Sequence, residues 1–168
     1  RGQYAEVVGI DGNVVELNLP LFFALDPTLS TETVRIRAAS TVRRAGVEDL
    51  AITQAHAVND FIVEMDGAQH CWLRNVDVSR MKRRGVWHVE SLQNEIRDCV
   101  VHDAIAGYGR DRGYGIQIDA QSTANLIENN VLYAVDGGGL MTSGGAIGNV
   151  HAYNYLPHIR FDDPSWLI

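Results

Sequence analysis

Apolar and polar residues alternate along this chain over short runs rich in β-branched and aromatic side chains, and no window of about eleven residues carries the repeat of an amphipathic helix. Five segments resemble one another: Val47 to Ile52, Leu73 to Val78, Ile96 to Val101, Ile127 to Leu132 and His151 to Leu156. The pattern is apolar, polar, Asn or Asp, small or apolar, variable, apolar, with His151 standing where the others open on an aliphatic residue. Their first residues lie 26, 23, 31 and 24 positions apart. A chain that repeatedly spends roughly 22–25 residues on three short strands and three turns winds into a parallel β-helix, each strand pairing with its equivalent about 4.8 Å along the axis. The prediction is therefore an all-β solenoid of about five coils.

The repeat also predicts side-chain directions. Asp49, Asn75, Asp98 and Asn129 fall where the alternation breaks, so they mark a corner held by a left-handed residue, which Asn and Asp tolerate best after Gly. Asn130 and Asn154 share the next position and are expected to point inward as an amide ladder. Val47, Leu50, Ile52, Leu73, Val76, Val78, Ile96, Val101, Ile127 and Leu132 face the core, and Cys99 takes the place of Leu50 and Val76 as a buried thiol. His151 reads as a half-buried, satisfied histidine. Residues 1–43 differ: alternation on both sides of Asp11-Gly12-Asn13 predicts a β-hairpin, leading to an irregular first coil near Val34 to Ala38. Residues 44–168 form the coils. The apolar Trp166-Leu167-Ile168 would leave a solenoid end uncapped, so the expectation is that the natural protein continues beyond it.

Composition narrows the function. The 168 residues carry 14 basic and 21 acidic side chains, a net charge of −7, which argues against a general nucleic-acid binder. No apolar run is long enough for a membrane span. Two cysteines give neither a disulfide framework nor a metal-ligand spacing. A chain opening on Arg1 without a leader reads as the processed form of an exported protein, extracellular or at the cell surface.

Two further stretches carry a resemblance. Asn125 to Tyr133 and Gly144 to Tyr155, together with the hairpin around Ala5 to Leu21, resemble right-handed parallel β-helix proteins of the pectate-lyase-like superfamily. That resemblance implies a right-handed coil. It also implies one of several activities, since the superfamily contains polysaccharide lyases, glycoside hydrolases, esterases, phage tailspikes and adhesins. The Arg-x-Pro-x-x-Arg motif of pectate lyases is absent, and so is the polygalacturonase set, because Asp162-Asp163 stands without its partners.

Candidate chemistry gathers at one edge. The 31-residue spacing holds about seven extra residues, placed at Ala106 to Gly115, one coil after the basic turn Ser79 to Gly85. Arg80, Lys82, Arg83, Arg84, Arg110 and Arg112 would stack there, with Tyr108 and Tyr114 beside them. Guanidinium forks match carboxylates and flat rings suit sugars, so the combination fits an acidic, uronate-containing polysaccharide, although it also reads as a solvated charged loop. Alternation on the neighbouring strands puts Ile62 and Glu64, His88 and Glu90, Gln117 and Asp119, then Met141 and Ser143 outward. His88, Glu90 and Asp119 then share one face, with carboxylates in adjacent coils roughly 5–9 Å apart, a range that spans retaining and inverting glycosidases. A lyase would use His88 or an arginine as base, and Glu90 with Asp119 could take a Ca²⁺ ion. The same residues also read as a solvated ladder of polar strand residues, the plainer of the two readings. His70 and His102 lie in turns without a paired ligand, and no Ser/His/Asp set stands out. The competing functions are a polysaccharide lyase or hydrolase and a non-catalytic scaffold: an adhesin, a tailspike-like shaft or a carbohydrate-binding module. Open solenoid ends would also allow end-to-end association of copies.

Overall fold

A computed structural model describes residues 2–23, 28, 41–56, 60–105, 113–135 and 139–157. Among them there are strands and no helix, hence none long and apolar enough to cross a membrane. A hairpin of β1 (Val7–Asp11) and β2 (Val14–Leu17) precedes the solenoid. One wall is a seven-stranded sheet: β3 (Gly46–Thr53), β5 (Trp72–Ser79), β7 (Glu95–Arg97) with β8 (Val100–His102), β10 (Leu126–Glu128) with β11 (Val131–Tyr133), and β13 (Val150–Ala152). The other is a four-stranded sheet of β4 (Phe61–Asp66), β6 (Arg84–Val89), β9 (Tyr114–Asp119) and β12 (Leu140–Thr142). All pairs in the two walls are parallel, which gives five layers on one wall, four on the other and about four turns of solenoid.

The register is the one the spacing predicts. Val47 pairs with Leu73, Leu73 with Ile96, Ile96 with Ile127 and Ile127 with His151. Leu73, Val76, Val78, Ile96, Cys99, Val101, Ile127 and Leu132 are buried in the core, whereas Val47 and Leu50 of the first layer stay partly exposed. The long wall bends at one residue per layer: Asp49, Asn75, Asp98 and Asn129 take φ of 57°, 48°, 57° and 58°, and Tyr153 follows at 53°. Asp and Asn alternate up this corner, and the amide of Asn75 donates to Asp49 (2.7 Å) as Asn129 does to Asp98 (2.6 Å). No two carboxylates become neighbours, so like-charge repulsion between layers is avoided.

Two amide ladders run inside. In the expected one, Asn130 Oδ1 accepts from the Cys99 N–H (2.9 Å), while its Nδ2 donates to the Ile96 carbonyl (3.0 Å) and to Asn154 Oδ1 (2.9 Å). Asn154 repeats the motif against the Asn130 N–H and the Ile127 carbonyl. A second ladder, which the repeat did not draw attention to, links Asn94, Asn125 and Asn149 in the same way. Both ladders end downward in a cysteine. The Cys99 thiol lies 3.2 Å from the Arg97 carbonyl and 3.5 Å from that of Leu73, and the Cys71 thiol 3.4 Å from the Gln69 carbonyl and 3.5 Å from that of Val42; Leu73 and Val42 each stand one layer below the carbonyl that the next asparagine uses. A thiol is small and apolar yet still a weak donor, which suits the step from amide column to aliphatic column.

The hairpin closes through Gly12-Asn13, with Gly12 at φ 56°, the left-handed value that a tight two-residue turn asks of its first position. The segments flanking the hairpin run across the layers. The Tyr4 N–H donates to Thr123, the Asn18 amide to Gln93, and Glu6 pairs with Arg43 and with His70 (3.5 Å). Val34 to Ala38 and residues 158–168 lie outside the described residues.

Where the chain enters the four-stranded sheet, Gly85, Gly115 and Gly139 stack in a column. A Cβ on Gly115 would stand 2.6 Å from the Gly139 carbonyl oxygen and 2.5 Å from Leu132. A side chain can yield, but a backbone fixed by interlayer pairing cannot. Gly115→Ala is therefore expected to cost about 1–3 kcal/mol by equilibrium urea unfolding, and an unchanged midpoint would mean that the layers are spaced more loosely than described.

Candidate functional site

The outer face of the four-stranded sheet carries two stacked columns. Glu64, Trp87, Gln117 and Met141 form one, and Asp66, Val89 and Asp119 form the other, continued by Ser143 just past β12. Glu64 and Asp119 reach the surface as expected, whereas Gln117 shares the outward column but is buried, as are the expected binding residues Arg84 and Tyr114, and β6 is turned over. His88 pairs with Met65 and Ile118 in the inward column and has no exposed surface, while Trp87 takes its place outside. Glu90 lies past the end of β6, at a corner with φ 48°. The expected group of His88, Glu90 and Asp119 on one face is therefore corrected: only Asp119 stands on it.

The cause of the slip is local. β6 is in register with β9, Gly85 and Val86 lying beside Gly115 and Ile116. The corner after β9, however, spends two left-handed residues, Ala120 (φ 46°) and Gln121 (φ 62°), where the corner after β6 spends Glu90 alone. The longer spacing is thus divided between two places.

Inside the core, burial holds the His88 imidazole down to about 4. Its Nδ1 is 3.1 Å from Ser91 Oγ and its Nε2 has no partner. An imidazole without solvent access cannot serve a polymer outside. On the face, Asp119 is tied to its surroundings: Oδ1 accepts from the Ala120 N–H (2.8 Å) and Oδ2 from Gln117 Nε2 (3.3 Å), which also reaches Ser143 Oγ (3.2 Å). Glu64 and Asp66 lie on β4, with β6 between that strand and β9. Burial, with the Asp66 charge beside it, raises the Glu64 carboxyl above the usual range, opposed by Arg84.

The middle of the face is aromatic and cationic. The Arg84 guanidinium lies over the Trp87 ring, 4.3 Å from its centroid, and Phe61 packs on the same ring at 5.7 Å. Arg84 Nε donates to Gln117 Oε1, and Tyr114 is the register partner of Arg84 one layer up. Along the edge, Arg80 is exposed and donates to the Gln54 carbonyl (3.3 Å), Arg83 pairs with Asp60 (3.4 Å) and Lys82 is half-buried. The connection from β5 to β6 occupies residues 80–83, and β8 ends at His102 and β9 begins at Tyr114, whose N–H meets the Arg83 carbonyl at this edge. Tyr108, Arg110 and Arg112 lie outside the described residues. Among the described residues no three His, Cys, Asp or Glu side chains converge on a metal site, and Glu90 and Asp119 sit on different features.

A second cluster, on the long wall, escaped the sequence reading. His102 ends β8 and lies one layer above Ser79, with Asp77, Asp103 and Tyr133 around it. Both ring nitrogens meet carboxylates, and Ser79 Oγ is bonded to Thr53 Oγ1 (2.8 Å), so Ser79 and His102 do not form a nucleophile–base pair. The signal was a separation of one coil between Asp77 and His102.

Residues 36–155 match a family model described as the right handed beta helix region. Neither the curated proteins nor the solved structures gave a match.

Proposed function

The chain belongs to the right-handed β-helix family, and from that premise we propose that the outer face of its four-stranded sheet binds an acidic, uronate-containing polysaccharide outside the cell. The observation that carries this reading is the guanidinium of Arg84 resting 4.3 Å over Trp87 with Phe61 against the same ring. A uronate offers an apolar C–H face and a carboxylate side by side. The half-buried indole offers the C–H face a flat surface, and because Arg84 is itself buried the carboxylate is left to the basic turn Arg80 to Arg83 along the edge. The layers repeat about every 4.8 Å, so the columns run along the axis and suit an extended chain more than a single sugar.

Binding is the primary reading. A hydrolytic one is favoured by a separate observation, the raised carboxyl of Glu64. Glu64 and Asp66 are two positions apart on the outer side of β4, roughly 7 Å by strand geometry. That separation suits an acid–base pair of the inverting kind, with Glu64 as the proton donor. Lyase chemistry loses His88 as its base, with the imidazole in the core, and would have to rely on an arginine of the turn.

The test is binding to polygalacturonate, alginate and glycosaminoglycans by affinity electrophoresis, with absorbance near 235 nm and reducing ends followed in parallel. Trp87→Ala is expected to weaken binding at least about tenfold, the loss of one aromatic contact and its cation. Equal retardation of the wild type and the Trp87→Ala variant on every polymer would sink the proposed face. Reducing ends that vanish in Glu64→Gln would add hydrolysis to binding.

A further inference from the structure

His102 is held between two carboxylates. Its Nε2 lies 3.1 and 3.2 Å from the two oxygens of Asp77, and its Nδ1 is 2.9 Å from Asp103 Oδ2. The ring stacks on Tyr133 at 4.9 Å with 13° between the planes. A neutral imidazole carries one N–H, so in that form its other nitrogen would turn a lone pair towards an anionic oxygen. Only the imidazolium donates to both. Asp77 belongs to β5 one layer below, Tyr133 to β11 one layer above, and Asp103 is the first residue of the long connection to β9. That connection is pinned at its start by the Ala104 N–H to the Ala134 carbonyl (2.9 Å) and the Ile105 N–H to that of Met81 (3.0 Å). It returns to the sheet at Tyr114, whose N–H meets the Arg83 carbonyl (2.7 Å) beside Arg84.

We infer that His102 is a positioning residue: as an imidazolium it ties the root of the β8–β9 connection to the layer beneath, and its loss of a proton releases Asp103 and loosens that edge of the outer face. The consequence for ligand rests on the proposed binding face; the anchoring does not. The groups that face the ring are Asp77 and Ser79 from β5, Asp103 from its own connection and the Tyr133 phenol from β11, and the charges that act on it are the two carboxylates. Partial burial works against the charged ring, but the bonds with Asp103 and Asp77 outweigh it and raise His102 above its ordinary value of 6.5. The anchoring is therefore complete below about 6.5 and fades as pH rises through the folded-state value.

The experiment is NMR on the full chain. At pH 6 both ring nitrogens of His102 are expected to be protonated, with a midpoint above 6.5. After correction for intrinsic rates, amide protection of Ala104 and Ile105 is expected to drop between pH 6 and 8.5, up to about tenfold per unit of elevation. His102→Gln should show low protection with no pH step. Should His102→Gln not fold, Asp103→Asn, which leaves the ring its Asp77 partner, should show the same flat, low profile. A singly protonated ring at pH 6, or the same protection step in the wild type and a variant, overturns the inference. Polygalacturonate affinity should fall over the same interval in the wild type alone. If no polymer binds at any pH while the protection step is present, the binding face fails and the anchor stands.

Discussion

Asn130→Ala is expected to destabilise the protein by about 3–5 kcal/mol, the largest effect of any single substitution proposed for it. The side chain has no exposed surface and makes three bonds that span three layers. Removing it strands the Cys99 N–H and the Ile96 carbonyl in the core, and each buried unsatisfied group costs about 1–3 kcal/mol. The cost arises from the stranded backbone groups rather than from lost volume, so Asn130→Leu should fare little better, even though Leu50 occupies the same column at the bottom of the solenoid. Cys99→Asn provides the converse. An amide there can donate to the Leu73 carbonyl that the thiol already uses, so this variant is expected to stay within about 1 kcal/mol of wild type. Equilibrium urea unfolding of the three variants decides the matter. If Asn130→Ala and Cys99→Asn lose the same stability, the ladder is a passive lining and not what holds the layers in register.

That ladder was legible in the sequence because the repeat places chemically alike residues one coil apart. Asn130 and Asn154, like Asp98 and Asn129, announce a shared position through side chains with a narrow range of uses: a left-handed corner, or an inward amide. The aliphatic column from Leu73 to Ile127 was legible for the same reason. The outer face was only half legible. On β9, alternation about the buried Ile116 and Ile118 assigns Gln117 and Asp119 to the outward columns. β6 is in register with β9, Gly85 and Val86 lying beside Gly115 and Ile116, but the corner after β9 spends one left-handed residue more, and nothing in the residue types marks that extra step. His88 is the consequence, a polar residue that pattern reading sends outward and that the core takes in. Trp87 takes the outward position in its place. The His102 cluster needed the register first, because Asp77 is remote in the chain and adjacent only after stacking.

The buried His88 has a thermodynamic signature that can be measured apart from any ligand. Its folded-state value of about 4 lies below the ordinary 6.5, because desolvation penalises the charged ring, with Asn125 opposing the shift and the His151 charge adding to it. Above 6.5 neither the folded nor the unfolded chain holds the extra proton, and the packing of the neutral ring contributes in full. Between 6.5 and 4 the unfolded chain binds the proton and the folded chain does not, so stability falls as pH falls, by up to about 1.4 kcal/mol per unit and about 3 kcal/mol in all. Below about 4 the difference stops growing. Other groups titrate nearby: His151 is lowered by burial and acts in the same sense, whereas His102 is raised and acts in the opposite one. The quantity to measure is therefore the difference between wild type and His88→Met, a swap that keeps an unbranched side chain of suitable size beside Met65 and Ile118. Unfolding free energies at half-unit steps from pH 4 to 7.5 should converge towards acid, the variant losing least. Parallel curves would mean that the folded protein accepts a proton on His88 without cost, which a fully buried imidazole with no carboxylate beside it cannot do.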